Sequence, residues 1–259
     1  MTILPYIEIP VVKHCNLNCR YCSHFANVED EYFMTVASYE TDMARMSCLF
    51  SNIAEIRLLG GEPLLHPHLG EFIKISRRYF PDAALKVVTN GLLILSVDAC
   101  VLQEIAGCGA TFDISLYPPT QKIEREICER LYRFGIKFYI SEPVIKFQRR
   151  LLPRPESAIE KTWQACNTKN CFVLCERKIS YCYAPQLVEM VEKKFGYHFY
   201  IGNSVADIAD SRWTGESLLE FLQQPHECCA YCGQPETVDW MRTQCKPGLS
   251  DWFVEKPIK

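Results

Sequence analysis

From residue 6 to about residue 140, short β-branched runs alternate with stripes of apolar residues at helical spacing, and that alternation restricts the chain to a parallel α/β sheet of βαβ units. Tyr6 to Val12 reads as the first strand. Tyr39, Met43, Met46 and Phe50 then form one helix face, and Ile56 to Leu59 reads as a strand that ends at Gly60-Gly61. Leu69, Phe72, Ile73, Ser76 and Phe80 make the next stripe, closed by Pro81, before the strand Leu85 to Thr89 and the helix Val97 to Gly107. Phe112, Ile114 and Leu116 alternate with Asp113 and Ser115, as in a strand with two chemically different faces. Pro118-Pro119 opens a helix with the stripe Ile123, Ile127, Leu131 and Phe134, and Gly135 ends it before the strand Ile136 to Ile140. A sixth strand is expected near Glu142 to Phe147. Such folds bind ligands at the C-terminal ends of their strands, where Gly60 to Pro63, Thr89-Asn90, Asp113, Ser115 and Glu142 should converge.

The loop after the first strand, His14-Cys15-Asn16-Leu17-Asn18-Cys19-Arg20-Tyr21-Cys22, spaces three thiols as C-x3-C-x2-C. Three thiolates on one loop can hold three irons of a [4Fe–4S] cube and leave the fourth iron open, whereas an electron-transfer cluster is closed by a fourth Cys. The plainer alternative is zinc, which prefers paired C-x2–4-C units with a second pair downstream. No second pair follows within the next stretch of chain.

With aromatic Tyr21 before its third Cys, this loop resembles the cluster loop of the radical S-adenosylmethionine (SAM) superfamily. Gly60-Gly61-Glu62-Pro63 after the next strand and Thr89-Asn90-Gly91 after the third continue the resemblance in order. It implies a partial (β/α)6 barrel. It also implies that Gly60, Gly61, Glu62 and Pro63 cradle the methionine amino group of SAM and that Tyr21 contacts adenine through its backbone. Asn90 and Ser115 would contact the ribose or carboxylate; an ordinary turn asparagine and strand serine would look the same. The run Cys22-Ser23-His24-Phe25 is similar to that of small bacterial radical SAM proteins, and His24 either lines the site or is a hydrogen-bonded structural His.

Fifteen cysteines in a chain of 259 residues without a signal peptide point to metal or redox use rather than disulfides. Cys48, Cys100, Cys108 and Cys128 are scattered and expected to be buried apolar residues, while eight crowd between Cys166 and Cys245. Pro153 and Pro155 flank the expected boundary between a core domain, 1–150, and a small cysteine-rich domain, 151–259. By resemblance to the shortened SPASM or "twitch" extension, Cys171, Cys182, Cys229 and Cys232 would ligate an auxiliary [4Fe–4S] cluster, with Cys166 and Cys175 as rivals and Cys228 a substitute for Cys229 only if the pair becomes C-x3-C. The full seven-cysteine SPASM series is not reproduced.

A net charge of −3 and a pI near 6.1 give no footprint for a nucleic-acid or membrane partner. No apolar run reaches the roughly 18 residues of a membrane span, so a cytoplasmic protein is expected. The resemblance implies reductive cleavage of SAM to a 5′-deoxyadenosyl radical, with electrons from a flavodoxin or ferredoxin. Hydrogen abstraction from a sugar-like or amino-acid-like small molecule would follow, giving oxidation, epimerisation or bond formation. One alternative is a maturase of a ribosomally made peptide, for which a leader-binding domain is expected ahead of the first strand, here starting at residue 6. The other is a non-catalytic iron–sulfur or zinc protein.

Overall fold

The computed structural model describes residues 2–28 and 31–259. Five strands, β1 (Ile7–Val12), β2 (Glu55–Gly60), β3 (Ala84–Thr89), β4 (Thr111–Ile114) and β5 (Phe138–Ile140), pair in parallel in chain order. They are joined by α1 (Val36–Leu49), α2 (Leu69–Tyr79), α3 (Ala99–Gly107) and α4 (Glu124–Arg133). The helix expected from Pro118 is split: Pro118–Gln121 forms one turn, and α4 starts only after Lys122 and Ile123.

Register explains which face is apolar. Ile7, Ile56 and Leu85 share one row and Ile9, Leu58, Val87 and Phe112 another, and all are buried. They pack with Tyr39, Met43 and Met46 of α1, Phe72 and Ile73 of α2, Leu102 and Ile105 of α3, and Ile127 and Leu131 of α4. Each large side chain fully buried this way contributes about 1.5–3 kcal/mol. Glu8, Arg57, Lys86 and Asp113 project from alternate positions. Arg57 pairs with Asp113 at 3.0 Å and Lys86 with Glu55 at 2.7 Å. Asp113 is therefore engaged by Arg57 on this polar face, and Glu142 is exposed beyond β5, so neither joins the cysteine loop as expected.

The C-terminal half adds β6 (Lys146–Leu151), β7 (Val173–Cys175), β8 (Lys178–Ser180), β9 (Ala206–Asp207) and β10 (Cys232–Asp239). The sixth parallel strand is β7, which lies beside β1 through Glu8 and Val173, and not the segment Glu142 to Phe147. β8 and β9 extend that edge in antiparallel fashion. β6 instead pairs antiparallel with β10 as a separate ribbon. Side-chain chemistry accounts for the difference: Val173, Leu174 and Cys175 are all buried, whereas Lys146 and Gln148 of β6 are exposed. The four scattered cysteines are not core residues. Cys48 and Cys100 are exposed and Cys108 and Cys128 half-buried, because they occupy outward positions on or beside α1, α3 and α4. No helix among the described residues is long and apolar enough to cross a membrane.

Among the described residues of the C-terminal half, three further α-helices are α5 (Ile159–Ala165), α6 (Ala184–Phe195) and α7 (Gly215–Leu222). A second apolar cluster joins Phe25 to Val188 and Val191 of α6 and to Phe199, Tyr231 and Trp252, with Phe25 stacked on Trp252 at 4.5 Å. It anchors the exit of the cysteine loop to the C-terminal region.

Candidate active site

The loop between β1 and α1 is pinned from three directions. From β2, Gly61 N–H donates to Val12 O at 2.8 Å and Glu62 N–H to His14 O at 3.1 Å. That approach requires glycine: a Cβ on Gly61 would lie 1.9 Å from His14 O, and one on Gly60, at φ +137°, 1.8 Å from Val12 O. The first demand on these glycines is thus backbone against backbone. From β3, Asn90 Nδ2 donates to Asn16 Oδ1 at 2.8 Å and to Cys15 Sγ at 3.6 Å. From the C-terminal side, Trp240 Nε1–H donates to Cys19 Sγ at 3.1 Å and Trp252 Nε1–H to Cys22 O at 2.9 Å.

Within the loop, Asn18, Tyr21 and Phe25 take left-handed conformations at φ 52°, 62° and 51°, which wind it tightly. Tyr21 lies between two cations, Arg20 at 4.8 Å and Arg149 at 5.6 Å from its ring. Burial pushes the Cys15 and Cys19 thiols up to about 12, and raises Cys22 as well. Metal loading must therefore displace protons from all three. His24 combines both expected roles: Nδ1–H donates to Gly60 O at 3.1 Å, the ring stacks on Tyr183 at 4.2 Å, and the residue lines a cavity with Tyr21 and Ser23.

Glu62 is buried, and burial pushes its carboxyl up to about 7 against three opposing hydrogen bonds. Oε1 accepts from Leu64 N–H at 3.0 Å and Thr89 Oγ1 at 2.7 Å, and Oε2 accepts from Asn90 N–H at 2.9 Å. Glu62 thereby ties the ends of β2 and β3 together, and Pro63 begins the short turn Pro63–Leu65 beside it. Ser115 follows β4 with its N–H on Thr89 O at 2.9 Å. Tyr117, which sequence reasoning missed, is half-buried nearby; loss of solvent around its hydroxyl and then the fields of Cys19, Cys22, Cys15 and Glu62 raise it well above the usual value. A protonated phenol therefore faces the thiol loop.

A cavity of about 420 Å³ is lined by Tyr21, Ser23 and His24 of this loop and by Cys166, Cys171, Cys182, Cys229 and Cys232. The C-terminal thiols are not equivalent. Burial raises the Cys182 thiol most, followed by the fields of Cys228, Cys232 and Cys229. After burial, Cys232 is raised by Cys229 and Cys166, and Cys229 also feels Cys166. Cys171, raised by burial to about 11, has Glu8, Cys166 and Arg57 as its charged neighbours. Cys175 lines a different, smaller pocket with Lys13 and Glu176. Tyr181 Oη meets Cys229 Sγ at 3.3 Å, and its ring stacks on His226. Among the described residues no three Cys, His, Asp or Glu side chains close on a single point as around one metal ion. The thiols stand around a space.

Two arginines of β6 also line this cavity. Arg149 pairs with Glu236 at 3.1 Å. Arg150 reaches the amide oxygens of Gln148 and Asn167, both at 3.2 Å, and among the described residues has no carboxylate partner.

Residues 9–135 match the radical SAM superfamily profile. This chain carries a radical SAM domain. GTP 3′,8-cyclase of Nautilia profundicola is 37% identical over 90 residues, which are 34% of this chain and 28% of that protein. GTP 3′,8-cyclase of Chlorobaculum tepidum is 31% identical over 111 residues, 42% of this chain and 32% of that protein. The chain thus spans about three tenths of the length of these relatives. A crystal structure of BtrN in complex with AdoMet and 2-DOIA superposes with a TM-score of 0.54 at 19% identity, covering 90% of this chain and 95% of BtrN. That likeness is one of fold.

Radical SAM enzymes use a [4Fe–4S] cluster and SAM. The residues here fit that pair: three thiols share one loop, N–H donors aim at all three sulfurs, and the loop offers no fourth cysteine, which would leave one iron of a cube for SAM.

Proposed function

We propose that this chain reductively cleaves SAM and abstracts hydrogen from a small-molecule substrate, sugar-like or amino-acid-like, held between two cysteine sites. The observation that carries this reading is the shared cavity of about 420 Å³, lined both by Tyr21, Ser23 and His24 and by the C-terminal thiols. Its volume lies in the range of small-molecule sites, roughly 300–1,000 Å³. When bound, the cluster and SAM supply the 5′-deoxyadenosyl radical; the protein supplies orientation and excludes competing reactions. Cys15, Cys19 and Cys22 hold the cluster, Asn90 and Glu62 fix the loop and the ends of β2 and β3, and Gly60 to Pro63, Tyr21 and Ser115 border the SAM position. A flavodoxin or ferredoxin is the proposed reductant.

The proposed division is a core, residues 1–150, and an auxiliary unit, 151–259, whose strands β7, β8 and β9 extend the core's sheet. Its ligand set is Cys166, Cys182, Cys229 and Cys232: all four line the cavity, Cys229 acts on Cys182 and Cys232, and Cys166 acts on Cys229 and Cys232, while Cys171 is coupled to Cys166 alone among them and Cys228, though coupled to Cys182, Cys229 and Cys232, does not line the cavity. Cys229→Ala and Cys166→Ala should each lower iron in the reconstituted protein from about eight to about four atoms, whereas Cys171→Ala should keep about eight. Full iron in Cys166→Ala with loss in Cys171→Ala would return Cys171 to the set. Stoichiometric zinc at these thiols would support the non-catalytic alternative.

The function itself is tested anaerobically, by incubating the reduced holoenzyme with SAM and deuterated metabolite pools and measuring deuterium in 5′-deoxyadenosine. No 5′-deoxyadenosine above background would end this reading, and transfer only from a peptide would favour the maturase. Arg150 should anchor a carboxylate or phosphate of the substrate so found. Losing such a charge-assisted bond costs about 1.5–3 kcal/mol, so Arg150→Gln should raise KM on the order of tenfold or more and leave substrate-free SAM cleavage intact. An unchanged KM would remove Arg150 from the substrate site.

A further inference from the structure

We infer that Trp240 sets the reduction potential of the cluster held by Cys15, Cys19 and Cys22, as a positioning residue acting through Cys19. This rests on the cluster assignment of the proposed function. The indole is one donor with one acceptor, Cys19 Sγ at 3.1 Å, although the two residues lie far apart in sequence. The segment that brings it there is strapped to the cysteine loop by main-chain bonds. Arg20 N–H donates to Met241 O at 2.9 Å, Thr243 N–H to Asn18 O at 3.0 Å, and Trp240 N–H to Ile145 O at 2.9 Å. The Asn18 amide also donates to Thr243 O, and Arg242 donates to Asn16 O at 3.3 Å. The Trp240 ring lies 5.8 Å from Tyr117, whose own ring is 6.0 Å from Phe147. The indole is therefore held by backbone on one side and aromatic rings on the other.

The physical consequence follows from charge. Reduction adds an electron that is spread over the cluster and its thiolates, and a fixed N–H dipole aimed at one of those sulfurs stabilises the more negative state. Cys15 has its own donors, Leu17 N–H at 3.4 Å and Asn90 Nδ2 at 3.6 Å. Of these polar contacts, the one from Trp240 comes from the far end of the chain.

Trp240→Phe keeps the aromatic bulk and removes the donor. In the holoenzyme with unchanged iron content, an electron paramagnetic resonance redox titration of the first cluster should show a lower reduced-to-oxidised ratio at a fixed potential. A roughly tenfold fall corresponds to a 59 mV shift for a one-electron couple. An unaltered ratio overturns the inference. Should Trp240→Phe fail to load iron, wild-type holoenzyme with 15N-labelled indole serves instead: the reduced cluster should show hyperfine coupling to an exchangeable indole proton, and its absence overturns the inference equally. Failure of the underlying assignment is distinguishable, because the reduced signal of the first cluster would then persist in a protein lacking Cys15, Cys19 and Cys22.

Discussion

A variant carrying Cys15→Ala, Cys19→Ala and Cys22→Ala is expected to form no 5′-deoxyadenosine above background, a loss on the order of 10⁶-fold or more if the wild type is an ordinary enzyme. The loop is built around these thiols: all three accept N–H bonds, and all three are raised by burial, so that protons leave only when metal arrives. The C-terminal thiols lie on other segments, so the variant should retain about four irons and the corresponding sulfide. Substantial SAM cleavage in this variant would sink the assignment of the reactive cluster. Loss of all iron would show instead that the two sites do not assemble independently.

Gly61→Val should have the second largest effect, and the structure changes what is expected of it. Read from sequence, a side chain there crowds SAM and spares the cluster. In the fold, the new Cβ meets His14 O at 1.9 Å, His14 C at 2.3 Å and Cys15 N at 3.0 Å, all main-chain atoms that no rotamer change can move aside. The loop must shift away from β2 and lose the bond from Glu62 N–H to His14 O. Such overpacking costs about 3 kcal/mol or more. For a domain of this size that is a fall in Tm of roughly 6–12 °C. Iron at the first site and SAM binding should fall together. Wild-type Tm and iron content, with only SAM affinity reduced, would restore the simpler reading.

The five parallel strands were legible because each is an apolar run feeding a helix stripe, and burial of Ile9, Leu58, Val87 and Phe112 follows from that pattern. The sixth was not, since Val173–Cys175 is only three residues long and joins the sheet on the far side of β1. Motif spacing located the cysteine loop and the Gly60-Gly61 turn but not their mutual dependence, which is a distance across the sheet. Asn90 stood out as a turn residue after β3, yet its amide goes to Asn16 of the loop. Cys166 and Cys171 could not be ranked by counting along the chain, because both line the same cavity and the charged neighbours of Cys171 include Glu8 and Arg57 from distant strands. Arg150, Tyr117 and Trp240 carry no motif; they reach the site from a polar ribbon and a strand end that only folding brings there.

The strand β10 begins at Cys232 and ends one residue before Trp240, while its partner β6 carries Gln148, Arg149 and Arg150 into the cavity wall. One ribbon therefore touches the second thiol set, the substrate space and the sulfur of Cys19. A ligand that tightens the ribbon should also tighten the indole contact, so that an idle enzyme is harder to reduce than an occupied one. Restraint against wasting SAM would then come from the way a single pair of strands is strung across the molecule, with no separate gate.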